Sequence, residues 1–390
     1  MNVLEVAWAV IQILTGYHLV FPVVLYLLWK LIGTEKESGS DHPVEIDYAI
    51  VVTAYQYTNT LPDVVRSILE LNYSNYLIYV VADNCDVSDL NFESDKVILL
   101  RPPEVLAANT KSHEYALKNF VRAHDVVTII DSDNLLDSAY LNQMNLSFNR
   151  GYQAVQGLRA AKNLNGTIAC LDAARDMYYH FYDGKLLFEV GSSATLAGSG
   201  MAFSTKLYQN FLDHNKVSGA GFDKVLQAWL VSRKIRIAFN ELAIVYDEKT
   251  SKTEQLVHQR SRWINTWFKY AGLGFGMTLS GLKNFNRNQF LFGFVLLRPP
   301  LFIFLLLSML FLGVNIAIGN FMGATIWCTS FILFVLFFLV ALKNSNADQR
   351  IYKSLLNIPK FVFYQIVSLL KIRKANKISV ATRHYNNTDK

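Results

Sequence analysis

Cysteine is scarce: the 390 residues hold only Cys85, Cys170 and Cys328, scattered and without a Cys-x-x-Cys pair. That argues against a disulfide framework and suits a reducing compartment. Neither a Gly-x-Gly-x-x-Gly fingerprint nor a phosphate-loop pattern is present, which disfavours nicotinamide and P-loop enzymes. No zinc-finger spacing or basic-aromatic recognition pattern appears, so nucleic acid is not the expected partner. Neither sign of charge dominates. The 37 Lys and Arg against 31 Asp and Glu leave a net charge of +6, and charged residues make up 17% of the chain. No internal repeat or low-complexity tract stands out.

Hydrophobic residues, by contrast, reach 52%, with 26 Phe and 20 Tyr, and the excess lies at the two ends. The basic residues cluster near these apolar segments, a pattern that suits an anionic membrane surface. The stretch from Trp8 to Trp29 is long enough to cross a bilayer and carries aromatic residues at both ends. Without a basic start or a small-residue cleavage site, it reads as a retained anchor rather than a signal peptide. Two further spans are expected at 300–318 and 324–342, with Arg298 placed at the membrane interface because a charge is costly at mid-bilayer.

The apolar stretch 355–370 is interrupted by Pro359, Lys360 and Gln365. If it spanned, the basic tail beginning at Lys371 would lie outside, against the positive-inside rule, so an interfacial helix is expected. The expected layout is therefore an anchor over 1–34, a cytoplasmic domain over 44–270 and an interfacial segment over 271–298. Two spans follow over 299–343, then an interfacial helix and basic cytoplasmic tail over 344–390. A polar linker is read at 36–42. The chain is expected to be a multi-pass cell-membrane protein that contacts lipid.

Residues 44–246 read as one α/β domain. Strands are expected at 49–53, 77–81, 97–100 and 126–130, with helices opening at Leu61 and running from Ser112 to Ala123. Strands alternating with helices imply a mainly parallel, Rossmann-like sheet with functional loops at the strand ends. Asp131-Ser132-Asp133 follows the β-branched run 126–130 and offers hard oxygen ligands suited to a cation that also grips phosphate. Taken alone, such a pair also suits a solvated turn.

The ordered set is more specific. Thr53-Ala54-Tyr55, Ala82-Asp83-Asn84-Cys85, Asp131-Ser132-Asp133, Gly198-Ser199-Gly200, Phe222-Asp223-Lys224 and Gln259-x-x-Arg262-Trp263 occur in that order. The set resembles the family 2 inverting glycosyltransferases. More narrowly, it is similar to their membrane-embedded branch of cellulose, chitin, hyaluronan and poly-N-acetylglucosamine synthases. The resemblance implies a glycosyltransferase-A-type fold flanked by transmembrane helices. It also implies a nucleotide-sugar donor, expected to be UDP-linked, and Mg²⁺ or Mn²⁺ on Asp133, with Asp131 near the metal or the ribose. Thr53, Tyr55 and Asp83 would line the nucleotide pocket, and Lys111 would meet the diphosphate.

Asp223 is the base that this resemblance implies, with Phe222 standing where the family usually has Glu. That departure suggests a more apolar acceptor pocket. Gly198, Ser199 and Gly200 would let the backbone approach the substrate closely. Gln259, Arg262 and Trp263 would form the acceptor end, and Arg260 or Arg262 would help neutralise the diphosphate. A basic-aromatic membrane helix is the rival reading of that last motif. The expected reaction is metal-dependent, inverting transfer to a growing or lipid-linked glycan, giving a β-linkage. Export would need a homo-oligomer or a separate exporter. The alternatives are a processive polysaccharide synthase that exports its own product, and an inactive membrane scaffold of the same fold.

Overall fold

The computed structural model describes residues 3–32, 44–217, 219–251 and 253–371. The expected linker 36–42 and the tail beyond 371 lie outside these residues. The chain opens with α1 (Val3–Ile32) and then enters the sheet at β1 (Tyr48–Tyr55). Next come α2 (Leu61–Leu69), β2 (Tyr76–Asp83), β3 (Val97–Leu100), α3 (Asn109–Lys118) and β4 (Val126–Asp131). The short β5 (Leu135–Leu136) leads to α4 (Tyr140–Asn149) and β6 (Ala154–Ala161). Then α5 (Thr167–Tyr179) runs into a π-helix, His180–Leu186, and the one-turn α6 (Leu187–Glu189). The domain ends with β7 (Met201–Ser204), α7 (Thr205–His214), α8 (Phe222–Ser232) and β8 (Ile237–Asp247).

The eight strands form one sheet in the order β3-β2-β1-β4-β7-β6-β8-β5. The first four are parallel neighbours, and β6 pairs parallel with β8. β7 runs antiparallel between β4 and β6, and β5 runs antiparallel to β8. β1 shows why a continuous apolar run was needed. Helices cover both faces of the sheet, and Tyr48, Ala49, Ile50, Val51 and Val52 are all fully buried. The register sets Thr53 beside both Val81 and Asp131, so the carboxyl ends of β1, β2 and β4 open together.

The helix expected over 112–123 instead ends at Lys118. Beyond it the Val121 N–H donates to the Tyr79 hydroxyl at 3.1 Å, which draws the chain off the helical path.

The carboxyl-terminal part is helical: α9 (Thr253–Tyr270), α10 (Gly272–Lys283), α11 (Arg287–Leu297), α12 (Leu301–Ala317) and α13 (Phe321–Asn344). Among the described residues, two helices are long and apolar enough to cross a membrane, Glu5–Ile32 and Phe321–Asn344. α12 has 17 residues and meets α11 at a bend of 75°, so the pair would make a third span. The bend follows from Pro299-Pro300, which cannot continue the hydrogen-bond ladder. α1, α12 and α13 are tied by a polar knot. The Gln12 side-chain oxygen accepts from Asn315 at 2.5 Å and from the Trp327 indole at 2.8 Å.

α14 (Gln349–Ser354) precedes α15 (Ile358–Leu370), a 13-residue helix spanning about 20 Å at 1.5 Å per residue, short of a bilayer core. It packs on α9, where the Ser261 hydroxyl donates to the Ser368 carbonyl at 2.9 Å.

Candidate active site

One cavity of about 630 Å³ opens at the carboxyl ends of the strands. Thr53 and Tyr55 enter it from the end of β1, and Asp131, Ser132 and Asp133 from the end of β4. Gly198 comes from the loop before β7, Asp223 from the first turn of α8, and Gln259, Arg262 and Trp263 from α9. Residues as far apart in the chain as Thr53 and Trp263 are thus brought to one wall.

The carboxylates crowd one another. Burial, then the adjoining Asp133, push the Asp131 carboxyl up to about 7, with Asp247 and Asp223 adding and Arg159 opposing. Such a site favours a hard divalent cation, which relieves the mutual repulsion and matches the all-oxygen donors. Among the described residues, no group of three or more His, Cys, Asp or Glu is placed to hold a metal alone. Asp131 and Asp133 fit a cation whose remaining ligands come from substrate or water.

The Asp131 N–H donates to the Ser199 hydroxyl at 3.0 Å, and the Gly200 N–H donates to the Ile129 carbonyl at 2.9 Å. Ser199 and Gly200 therefore stand behind the wall and clamp the loop to β4, while Gly198 is in the wall itself. Gly198 has φ +87°, a conformation that a side chain resists.

Asp83 also stands behind the wall. Its two carboxylate oxygens accept the Leu106 and Ala107 N–H groups at 2.9 and 2.7 Å. It thereby holds the turn whose Ala107 and Ala108 do line the cavity. Lys111 is exposed on α3 and is not among the wall residues.

Asp223 sits one residue into α8, whose amino end offers positive dipole and N–H groups. The Lys224 ammonium lies 3.5 Å from its carboxylate. Phe222 touches the cavity, yet it is 6% exposed and sets its ring edge-on to His113 at 5.3 Å. Most of its apolar surface therefore goes to the core, and only a small part of it is left to the cavity.

Arg260 corrects another expectation. It is buried, pairs with Asp172 and is not in the wall, so only Arg262 of the two arginines faces the cavity. Burial, reinforced by Arg175, draws the Arg260 pKa down to about 10. The Arg260 and Arg175 guanidiniums lie 4.1 and 4.5 Å from the centre of the Trp263 ring. The indole is thus a clamped aromatic wall, 41% exposed, rather than a loose side chain.

An ion-pair network that the sequence reading missed forms the cavity floor. Arg159 pairs with Asp247 at 2.7 Å, and Lys249 bridges Asp247 and Asp176 at 2.9 and 2.5 Å. Arg175 continues to Asp176 and Asp172, which meets Arg260. Arg298, at the α11–α12 bend, makes a bidentate pair with Asp183 at 2.6 and 2.5 Å. Its guanidinium carbon lies 4.5 Å from the Tyr179 ring centre. Apart from Arg260, none of these residues stands in a short motif, so no local signal marks them.

Comparison with curated proteins finds no match. Among solved structures, the mannosyltransferase PcManGT from Pyrobaculum calidifontis, in complex with GDP-Man and Mn2+, aligns with a TM-score of 0.55 at 12% identity. That alignment covers 94% of this chain and 99% of that one, and it shows a shared fold. S. aureus TarS 1-349 in complex with UDP-GlcNAc aligns at a TM-score of 0.36 and 13% identity, over 55% of this chain and 65% of that one. The second likeness is too distant to carry an argument. The family described as Glycosyltransferase like family 2 matches residues 45–266, more than half of the chain and all of the sheet. The chain belongs to the family 2 glycosyltransferases.

Proposed function

We propose that this chain transfers a sugar from a nucleoside-diphosphate sugar to a hydroxyl of a growing or lipid-linked glycan, with inversion, at a membrane surface. The observation that carries this reading is the single cavity that gathers Thr53 and Tyr55, Asp131 and Asp133, Asp223, and the Gln259–Trp263 motif.

In the proposed step Asp223 takes the proton of the acceptor hydroxyl while its oxygen bonds to the anomeric carbon. The bond from that carbon to the phosphate oxygen breaks, and the nucleoside diphosphate leaves with the electron pair. A single displacement inverts the centre, so an α-linked donor gives a β-linked product. Asp133, with Asp131 beside it, would hold Mg²⁺ or Mn²⁺, which when bound supplies Lewis-acid stabilisation of the departing diphosphate. Arg262 adds positive charge on that side, and Trp263 gives the acceptor ring an apolar wall. Asp83 acts through the 106–107 turn that it holds, which borders the nucleotide end. Lys111 is exposed, and a contact with diphosphate would need closure of the loop before α3.

The fold-sharing mannosyltransferase is in complex with GDP-Man. GDP-sugars therefore belong beside UDP-sugars in the test. Purified full-length protein with Mn²⁺ and a panel of radiolabelled UDP- and GDP-sugars is expected to bind one of them. Asp133→Asn should abolish the divalent-dependent part of that binding. Donor titrations unchanged by both the substitution and a chelator would remove the assignment.

A further inference from the structure

One part of the cavity wall is left unassigned by the transfer step. His180, Asp183 and Gly184 of the π-helix line it, with Phe239 of β8 and Arg298 at the α11–α12 bend. The other side of the same π-helix, Phe181, Tyr182 and Leu186, is buried in the core. Phe181 and Tyr182 meet Phe337 of α13 at 5.9 and 6.4 Å between ring centres. A π-turn holds an extra residue and has poorer geometry than an α-turn, so it persists where the surroundings require it. Here it sets polar groups on the cavity and aromatic groups on the helix bundle. Gly184 is part of that requirement, because a Cβ there would stand 2.8 Å from the Phe239 ring.

The charged groups along this part are already matched. Asp183 is paired with Arg298, and Asp176 and Asp247 with Lys249, Arg175 and Arg159. An additional ionic ligand would have to break one of these buried pairs, at considerable cost. His180 differs from them. It is only partly buried and lines the cavity, and its imidazole makes no hydrogen bond to another described residue. Burial holds its pKa down to about 4 even with Asp176 close by, so its ring is neutral near pH 7. A neutral imidazole has one donor and one acceptor to offer.

We propose that this part of the cavity is a subsite for a neutral sugar ring of the acceptor, in which His180 hydrogen-bonds a hydroxyl and Phe239 supplies an apolar face. The proposal rests on the transfer reading above and deepens it. A polyhydroxyl ligand exchanges hydrogen bonds with the paired network without burying new charge. The Arg298 bend leads directly into the apolar α12, so an apolar aglycone is the tail that this neighbourhood would favour. The ligand class is therefore a sugar with an apolar tail.

The test uses the full-length chain in lipid nanodiscs, with n-octyl β-D-glucoside and n-octyl β-D-mannoside titrated below their micellar range and empty nanodiscs subtracted. Wild type is expected to bind at least one of them. His180→Ala should weaken that binding about three- to tenfold, the scale of one neutral hydrogen bond. His180→Asn should recover part of the loss. Binding of the preferred nucleotide sugar with Mn²⁺ should stay unchanged in both variants. Failure of wild type to bind either glycoside, or equal affinity in His180→Ala, overturns the subsite. An equal loss of donor binding also overturns it, because His180 would then belong to the donor. Wild type that binds a glycoside through His180 but no nucleotide sugar would keep the sugar site and sink the transfer reading instead.

Discussion

Single residues were legible where their chemistry is local. Asp131 and Asp133 could be read because a buried strand delivers them together, and the cavity does hold both. Arg159, Asp247 and Lys249 could not, because their partnership is made only when β6 and β8 pair in parallel. Two predictions belong at this scale. Asp223→Asn keeps the shape and removes the basicity, so donor affinity should hold while turnover falls roughly 10²–10⁴-fold. Near-wild-type turnover would move the base elsewhere, and a matching loss of donor binding would make Asp223 structural.

The second concerns pH. The Asp131 carboxyl stands at about 7, above its ordinary 3.8, so the folded chain holds this proton more tightly than the unfolded chain. The stability it contributes is full below pH 4 and is lost as pH rises through 7. The metal-free protein should therefore melt at a lower temperature at pH 8 than at pH 5, as far as this group decides. A cation must displace the proton, so apparent Mn²⁺ affinity should climb up to about tenfold per pH unit below 7 and level off above it. Affinity that is flat from pH 5 to pH 8, measured by calorimetry, would take Asp131 out of the cation site.

At the scale of elements, strands with unbroken apolar runs announced themselves, since burial on both faces leaves no polar position to confuse the period. The π-helix did not. Nothing in His180–Leu186 distinguishes a wide turn from an ordinary one until Phe239 and the α13 aromatics are packed around it. The α10–α11 hairpin was read only as an interfacial stretch. Its close approach depends on Gly281, where a Cβ would lie 2.3 Å from the Phe290 nitrogen.

The π-helix is pinned by Asp183 to Arg298, and both side chains are largely buried. Removing one partner strands the other charge, so Arg298→Gln should cost roughly 3–5 kcal/mol. Arg298→Gln combined with Asp183→Asn should cost clearly less than the sum of the two single changes. Thermal unfolding of the four proteins in nanodiscs measures the cycle, and strictly additive losses would show that the pair is not coupled.

The whole molecule is a transferase domain set against a bundle of apolar helices, and its sidedness can be argued from charge. α1 carries Lys30 in its last turn and α13 carries Lys343 in its last turn. The Lys30 end of α1 is the domain end: Trp29 beside it lies 5.9 Å under the Lys185 ammonium of the π-helix. If α12 and α13 form a membrane hairpin, the positive-inside rule predicts these ends and the transferase domain in the cytoplasm, and the α12–α13 turn outside. Two variants lacking the native cysteines test this, Phe321→Cys at that turn and Lys118→Cys on the domain, both positions being well exposed. In intact cells a membrane-impermeant maleimide should label Phe321→Cys, and it should reach Lys118→Cys only after permeabilisation. Labelling of Lys118→Cys alone in intact cells would invert the orientation. Protection of both would mean that α12 and α13 enter and leave on one side. The 75° bend between α11 and α12 would then belong to a re-entrant hairpin, and an acceptor would have to approach wholly from the cytoplasmic leaflet.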